Sequence, residues 1–148
     1  MDLYFAYGSN MNFKQMAYRC PGARILCKAF LPDWKYFING NGYAGVEQSK
    51  GDVVYGGLWE LQPAHWKELD LYEAVDQGFY KKVKVRVFIE TESRTKESLV
   101  YLYLSNNYEY GTPSEEYQSI VLQGARDLDL MPGYLQALAK WGDNRQKK

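Results

Sequence analysis

The clearest pattern in the chain lies between Tyr80 and Glu90. There Val83, Val85, Val87 and Ile89 alternate with Lys82, Lys84 and Arg86. A period of two predicts a strand with one buried face and one wet face, of the antiparallel kind. Leu99 to Leu104 predicts the next strand, paired with the first across the polar turn from Thr91 to Lys96. Upstream, Leu3 to Tyr7 reads as a short buried strand, and Ala23 to Phe37 as a longer one, broken or bent at Leu31-Pro32. Asn39-Gly40-Asn41-Gly42 is turn chemistry. Val53 to Leu61 reads as another strand, and the Gly56-Gly57 pair inside it predicts a bulge or a close backbone approach.

Four stretches have helical character. Asn12 to Arg19 predicts a short helix ended by Cys20-Pro21-Gly22. Gln62-Pro63 opens a second, running to about Ala74, with Pro63 in the first turn where its missing N–H costs nothing. Thr112-Pro113-Ser114-Glu115 predicts a capping box with proline at the first helical position. Beyond it, Tyr117, Ile120, Val121, Gly124 and Leu128 share one face. Met131-Pro132-Gly133 starts a last short helix to about Trp141. Five or six short strands with helices between and after them predict an α+β fold. The glycine-bent strands favour a small mixed, closed or nearly closed β-barrel flanked by helices over an open doubly wound sheet. There is no βαβ alternation to support a parallel sheet. A chain of 148 residues predicts one domain, 1–148, with 142–148 as a mobile polar tail.

Composition narrows the function classes. Eighteen basic residues balance eighteen acidic ones, so the electrostatic footprint of a nucleic-acid binder is missing. No apolar run approaches the length of a membrane span. The opening Met1-Asp2-Leu3 has neither the basic nor the apolar region of a signal peptide, and a cytoplasmic location is expected. Cys20, Cys27 and the single His65 do not have the spacing of a zinc site. The two cysteines read as reduced thiols, with one bridge between them as the alternative. His65 falls in the first turn of the second helix and reads as a surface imidazole rather than a catalytic one.

Candidate chemistry concentrates in three places. The first is "YFAYGSNM", Tyr4 to Met11, where a strand breaks at Gly-Ser-Asn. Glycine permits a sharp turn after Tyr7, and Asn10 or Asn12 can cap the following helix. Such a strand–turn–helix start gathers free N–H groups into a nest that suits an anion or a developing oxyanion. A capped turn with no ligand fits the same residues. The second is Glu73, in "LDLYEAVDQGFY". On a helical wheel it falls beside Trp66 and Leu69, and a carboxyl group buried there would have the raised pKa of a base. Ala64, Leu71 and Val75 mark a second apolar face. On that wheel a solvated glutamate is the plainer reading, and Glu68, Asp70 and Asp76 are rival carboxylates. The third is tyrosine, fourteen in all, with Tyr80, Tyr108, Tyr110 and Tyr117 near element ends. Tyrosine offers a pocket an apolar body and a polar tip, although each one singly reads first as packing.

Together these stretches resemble the γ-glutamylcyclotransferase (AIG2-like) family. "YFAYGSNM" resembles its signature loop and "GDVVYGGLWEL" its central strand. "LDLYEAVDQGFY" is similar to the segment carrying its catalytic glutamate, and "PSEEY" to its late Pro-Ser-x-x-Tyr. The match runs in order from about residue 3 to 135. The resemblance implies a small β-barrel flanked by helices. It implies a reaction in which the α-amine of a γ-glutamyl group attacks its own γ-carbonyl, releasing 5-oxoproline and an amino acid or amine. No cofactor and no metal are implied. Glu73 matches the general acid/base, and Tyr7, Gly8, Ser9, Asn10, Tyr80 and Tyr117 match positions around the substrate. The implied partner is a small γ-glutamyl compound, with no nucleic acid and no membrane, on a monomer or homodimer. Asn10 resembles the branch acting on γ-glutamyl amino acids; the glutathione-specific branch has Leu there. The branch acting on γ-glutamyl amines has Thr where this chain has Ser9. A branch that trims γ-glutamyl groups from antibiotic intermediates remains open. So does a member of the same fold that only binds a small acid or a partner protein.

Overall fold

A computed structural model describes residues 2–142. The strands are β1 (Asp2–Ala6), β2 (Arg24–Ile38), β3 (Ala44–Leu61), β4 (Tyr80–Glu90) and β5 (Thr95–Ser105). The helices are α1 (Phe13–Arg19), α2 (Pro63–Tyr72), α3 (Glu115–Asp127) and α4 (Pro132–Ala139), with short 3-10 turns at Ser9–Met11, Val75–Gln77 and Lys140–Gly142. The strands close on themselves in the order β1-β3-β2-β4-β5. All pairings are antiparallel except β1 with β5, which meet in parallel at Tyr4 and Tyr101. This is the expected mixed α+β ring of strands. The expected polar tail, apart from Gly142, lies outside the described residues.

The alternation of β4 holds: Val87 is fully buried while Lys82, Lys84 and Arg86 face water. Inside the ring, Phe5, Leu58, Val54 and Leu102 are fully buried. The glycine pair serves close approach, since register runs unbroken through Gly56 and Gly57. A Cβ at Gly56 would overlap the carbonyl oxygen of Ala6, and one at Gly57 would stand 2.8 Å from Leu128.

Several expectations are corrected. β3 begins at Ala44, nine residues before Val53. The stretch from Glu47 to Asp52 is polar because the far end of the β2–β3 hairpin is largely solvated, which hides it from a hydrophobic-pattern reading. β2 is not broken at Leu31-Pro32. The register shifts between Pro32 and Trp34, where Asp33 takes a left-handed φ of 66° and accepts a hydrogen bond from Gly51 N–H. The cap of α3 is Ser114, whose hydroxyl oxygen accepts from Tyr117 N–H, so Pro113 precedes the helix instead of opening it. His65 is buried, not on the surface. Its Nδ1 accepts from Gln62 N–H at 3.0 Å, which makes Nε2 the protonated nitrogen, donating to Pro21 O at 2.7 Å. Both ring nitrogens are spent on the cap of α2 and on the loop after α1. Cys20 and Cys27 are free thiols.

The opening loop is held from behind by α3. A Cβ at Gly124 would stand 2.6 Å from Asn12 N, so the helix axis sits directly against the turn. Asn12 caps α1 by accepting from Gln15 N–H, and its amide donates to Ile120 O. Asp127 accepts from Phe13 N–H. No helix among the described residues is long and apolar enough to cross a membrane.

Candidate active site

Glu73 does not lie on a helical face. α2 ends at Tyr72, Glu73 is its C-cap, and Ala74 follows with a left-handed φ of 52°. Trp66 and Leu69 are the buried side of the helix, while Leu71 is exposed. The change of backbone direction at Ala74 takes Glu73 off the helix surface and into the end of the ring. There its carboxyl lies where two adjoining cavities meet. The inner one is about 30 Å³ and is walled by Tyr4, Tyr7, Gly8, Ser9, Asn10, Ala44, Glu73, Tyr80, Tyr103 and Tyr117. The outer one is about 230 Å³ and is walled by Ser9, Tyr43, Tyr72, Glu73, Ala74, Phe79, Tyr80 and Tyr117. All seven residues singled out from the sequence therefore border one space. Tyr108 and Tyr110 do not; they stack on Phe37.

The Glu73 carboxyl makes no hydrogen bond or ion pair among the described residues. Burial raises its pKa from 4.5 to about 7, and the Arg19 guanidinium opposes that rise. Its rivals are otherwise engaged. Asp70 accepts from Tyr103 OH at 2.6 Å and pairs with Lys82 at 3.4 Å, while Glu68 and Asp76 are exposed.

Gly8, Ser9 and Asn10 form the other side of the inner cavity. The turn's own bonds run from Met11 N–H to Gly8 O and from Asn12 N–H to Ser9 O. They leave the N–H groups of Gly8, Ser9 and Asn10 without an acceptor in the turn, as at any helix start. Gly8 has a φ of −119°, so its glycine answers to space and not to a left-handed backbone. A Cβ there would stand 2.9 Å from the Ala44 Cβ and 3.3 Å from Tyr117 OH. Asn10 is fixed by three contacts: its carbonyl accepts from Trp59 Nε1, its Oδ1 accepts from Arg19, and its Nδ2 donates to Tyr4 OH.

The tyrosine hydroxyls divide into two kinds. Tyr7 donates to Tyr103 O and Tyr80 donates to Ala44 O, so their protons are committed. Tyr4 accepts from Asn10 and Tyr117 accepts from Ala44 N–H, so their own protons remain for a ligand. Burial raises the pKa of all four, with the Glu73 charge adding to it, which keeps them as hydroxyls.

The sequence reading missed Tyr4, Arg19, Tyr43, Tyr72, Phe79 and Tyr103. Tyr4 lies inside the quoted motif, two residues ahead of Ala6 on the same strand face, and could have been found. Arg19 reaches Ser9, Asn10 and Tyr72 from the last turn of α1, and its guanidinium lies over the Tyr72 ring. Tyr43 arrives only through the β2–β3 turn, and no local pattern marks it.

Residues 53–138 match the model of the AIG2-like family. The human protein named gamma-glutamylcyclotransferase is 34% identical over 146 residues, covering 92% of this chain and 76% of the relative. The mouse protein of that name is 32% identical over 155 residues, covering 98% and 81%. A solved structure titled gamma-glutamyl cyclotransferase superposes with a TM-score of 0.84 at 34% identity, covering 93% of this chain and 86% of that one.

Proposed function

We propose, for an enzyme whose chain belongs to the γ-glutamylcyclotransferase family, that Glu73 is the general acid/base of 5-oxoproline release from γ-glutamyl amino acids or γ-glutamyl amines. The observation that carries this is the Glu73 carboxyl itself. It makes no hydrogen bond or ion pair among the described residues, burial raises its pKa to about 7, and it stands at the junction of the two cavities.

The chemistry follows from what each group can do. An α-ammonium has no lone pair, so the reaction begins when the Glu73 carboxylate takes one of its protons. A base with a pKa near the working pH is best suited to accept a proton and give it back. The freed amine attacks the γ-carbonyl carbon of the same γ-glutamyl group. As the C–N bond to the leaving amine breaks, protonated Glu73 gives its proton to the departing nitrogen. The carboxylate so regenerated takes the surplus proton from the ring nitrogen, leaving the lactam N–H, and that second proton departs with the amine as its ammonium form. Because the attack is intramolecular, holding the γ-glutamyl chain folded supplies much of the acceleration.

The N–H groups of Gly8, Ser9 and Asn10, with the free protons of Tyr4 and Tyr117, are the donors for the substrate carboxylate and for the oxyanion on the γ-carbonyl. Donors fixed in advance by surrounding hydrogen bonds stabilise such charge without reorganising. Tyr7 and Tyr80 shape the cavity walls. The inner cavity, at about 30 Å³, has room for one oxygen-bearing group. The γ-glutamyl part therefore lies across the junction with a carboxylate or the γ-carbonyl oxygen in it, and the leaving amine lies in the outer cavity. Incubation with a panel of γ-glutamyl dipeptides and amides, reading 5-oxoproline, tests the proposal. Absence of 5-oxoproline from every member of the panel would overturn it.

A further inference from the structure

The outer cavity has an unusual wall. Tyr43, Tyr72 and Phe79 border it, and each is about half exposed, at 48%, 45% and 51%. They come from three separate places: the β2–β3 turn, the last residue of α2 and the residue before β4. Large aromatic side chains left in water from three segments, around one cavity, are a surface made for an apolar guest. Two of the rings are braced. Tyr43 packs edge-on against Tyr117 with centroids 5.2 Å apart. Tyr72 carries the Arg19 guanidinium 3.4 Å over its ring centre. Arg19 is not itself among the residues that border the cavity, and its guanidinium is engaged by Ser9 Oγ, Asn10 Oδ1 and Tyr72 OH. Among the described residues, no cationic side chain walls the outer cavity, and Glu73 is the one carboxyl there. A benzene ring needs a cavity of roughly 150 Å³, and this one, polar at Glu73 and Ser9 and aromatic at its rim, is about 230 Å³.

We infer that the enzyme selects γ-glutamyl compounds whose leaving amine carries an aromatic ring, recognised by Tyr43, Tyr72 and Phe79. This rests on the reaction proposed above and specifies its substrate class. The ring stacks or packs edge-on against the three aromatic walls while the γ-glutamyl end reaches across the junction beside Glu73 toward the inner cavity. A carboxylate on the leaving group contributes little, because among the described residues no cationic side chain walls the cavity and the Arg19 guanidinium is already engaged by Ser9, Asn10 and Tyr72. An aromatic amino acid and an aromatic alkylamine therefore share the recognised chemistry.

The test compares kcat/KM for γ-glutamylphenylalanine, γ-glutamylphenethylamide and γ-glutamylglycine in the wild type, Phe79→Ala and Tyr43→Ala. Aromatic contacts contribute about 0.5–1.5 kcal/mol each beyond buried area, so the two aromatic substrates should exceed the glycine compound by at least about tenfold. They should lie within about threefold of each other. In each variant the aromatic-to-glycine ratio should fall at least about threefold. Both side chains are half exposed, so the variants should fold, and a melting curve checks this. A wild-type preference for the glycine compound, a ratio unmoved in both variants, or turnover confined to the amino acid arm would each overturn the inference while leaving the cyclisation intact. If no compound yields 5-oxoproline, the proposed reaction falls and this inference falls with it.

Discussion

Replacing Glu73 by glutamine separates the cost of burying this charge from its chemistry. The carboxyl titrates at about 7 in the folded protein against an ordinary 4.5. At about 1.4 kcal/mol for each pH unit between those values, an ionised Glu73 destabilises the fold by about 3 kcal/mol. The cavity opens to solvent, which lowers this to about 2–3 kcal/mol. The sign follows from proton linkage. Below pH 4.5 the glutamate is protonated whether folded or unfolded and costs nothing. As pH rises from 4.5 to about 7 the unfolded chain gives up its proton more readily than the folded one, so stability falls. Above about 7 the full cost is present. Glutamine cannot ionise, and any cost of burying its amide is independent of pH. The melting temperature of Glu73→Gln minus that of the wild type should therefore increase from pH 4.5 to pH 8. A chain of this length moves about 2–4 °C per kcal/mol, so the increase should be about 5–10 °C. The two proteins are otherwise identical in sequence, so the pH dependence of the rest of the chain cancels in the difference. A difference that stays constant across this range would show that Glu73 is solvated, and the reasoning from its burial would fail.

Three further outcomes are expected. Gly8→Val should cut kcat/KM by at least about tenfold and lower the melting temperature, because a Cβ at this position already meets Ala44 at 2.9 Å; wild-type kinetics would make the loop a mere connector. Arg19→Gln removes the charge that opposes the rise in the Glu73 pKa, so the acidic limb of the kcat/KM profile should move to higher pH, and an unmoved limb would place the guanidinium outside the base's field. Glutathione should be a poorer substrate than γ-glutamyl dipeptides, because Asn10 departs from the glutathione-specific pattern; a higher kcat/KM for glutathione would reverse that assignment.

Much of the fold was legible where a buried face imposed a period. The β4 valines, the buried face of α3 and the Gly56-Gly57 approach could all be read locally. The outer half of β3 could not, because its residues pair in a hairpin exposed on both sides. Ser114 and Thr112 compete for one cap within three residues, and only the backbone geometry chooses between them. At the site, the Tyr7–Asn10 loop and Glu73 could be recognised because their chemistry is carried by adjacent residues. The wheel placed Glu73 beside Trp66 and Leu69, yet its cavity arises from the chain reversal at Ala74, a residue whose left-handed backbone no pattern announces. His65 looked like surface because a helix's first turn is usually wet; the loop at Pro21 that covers it is distant in sequence. Arg19 and the aromatic wall come together only when the strands close.

The most direct test of the role given to Glu73 is single-substrate turnover by the folded Glu73→Gln variant, followed as 5-oxoproline from a γ-glutamyl dipeptide. Loss of general acid–base catalysis predicts a fall in kcat of about 10²–10⁴-fold, with substrate still raising the melting temperature of the variant. Turnover within a few-fold of wild type, in a variant that melts cooperatively, would contradict the assignment.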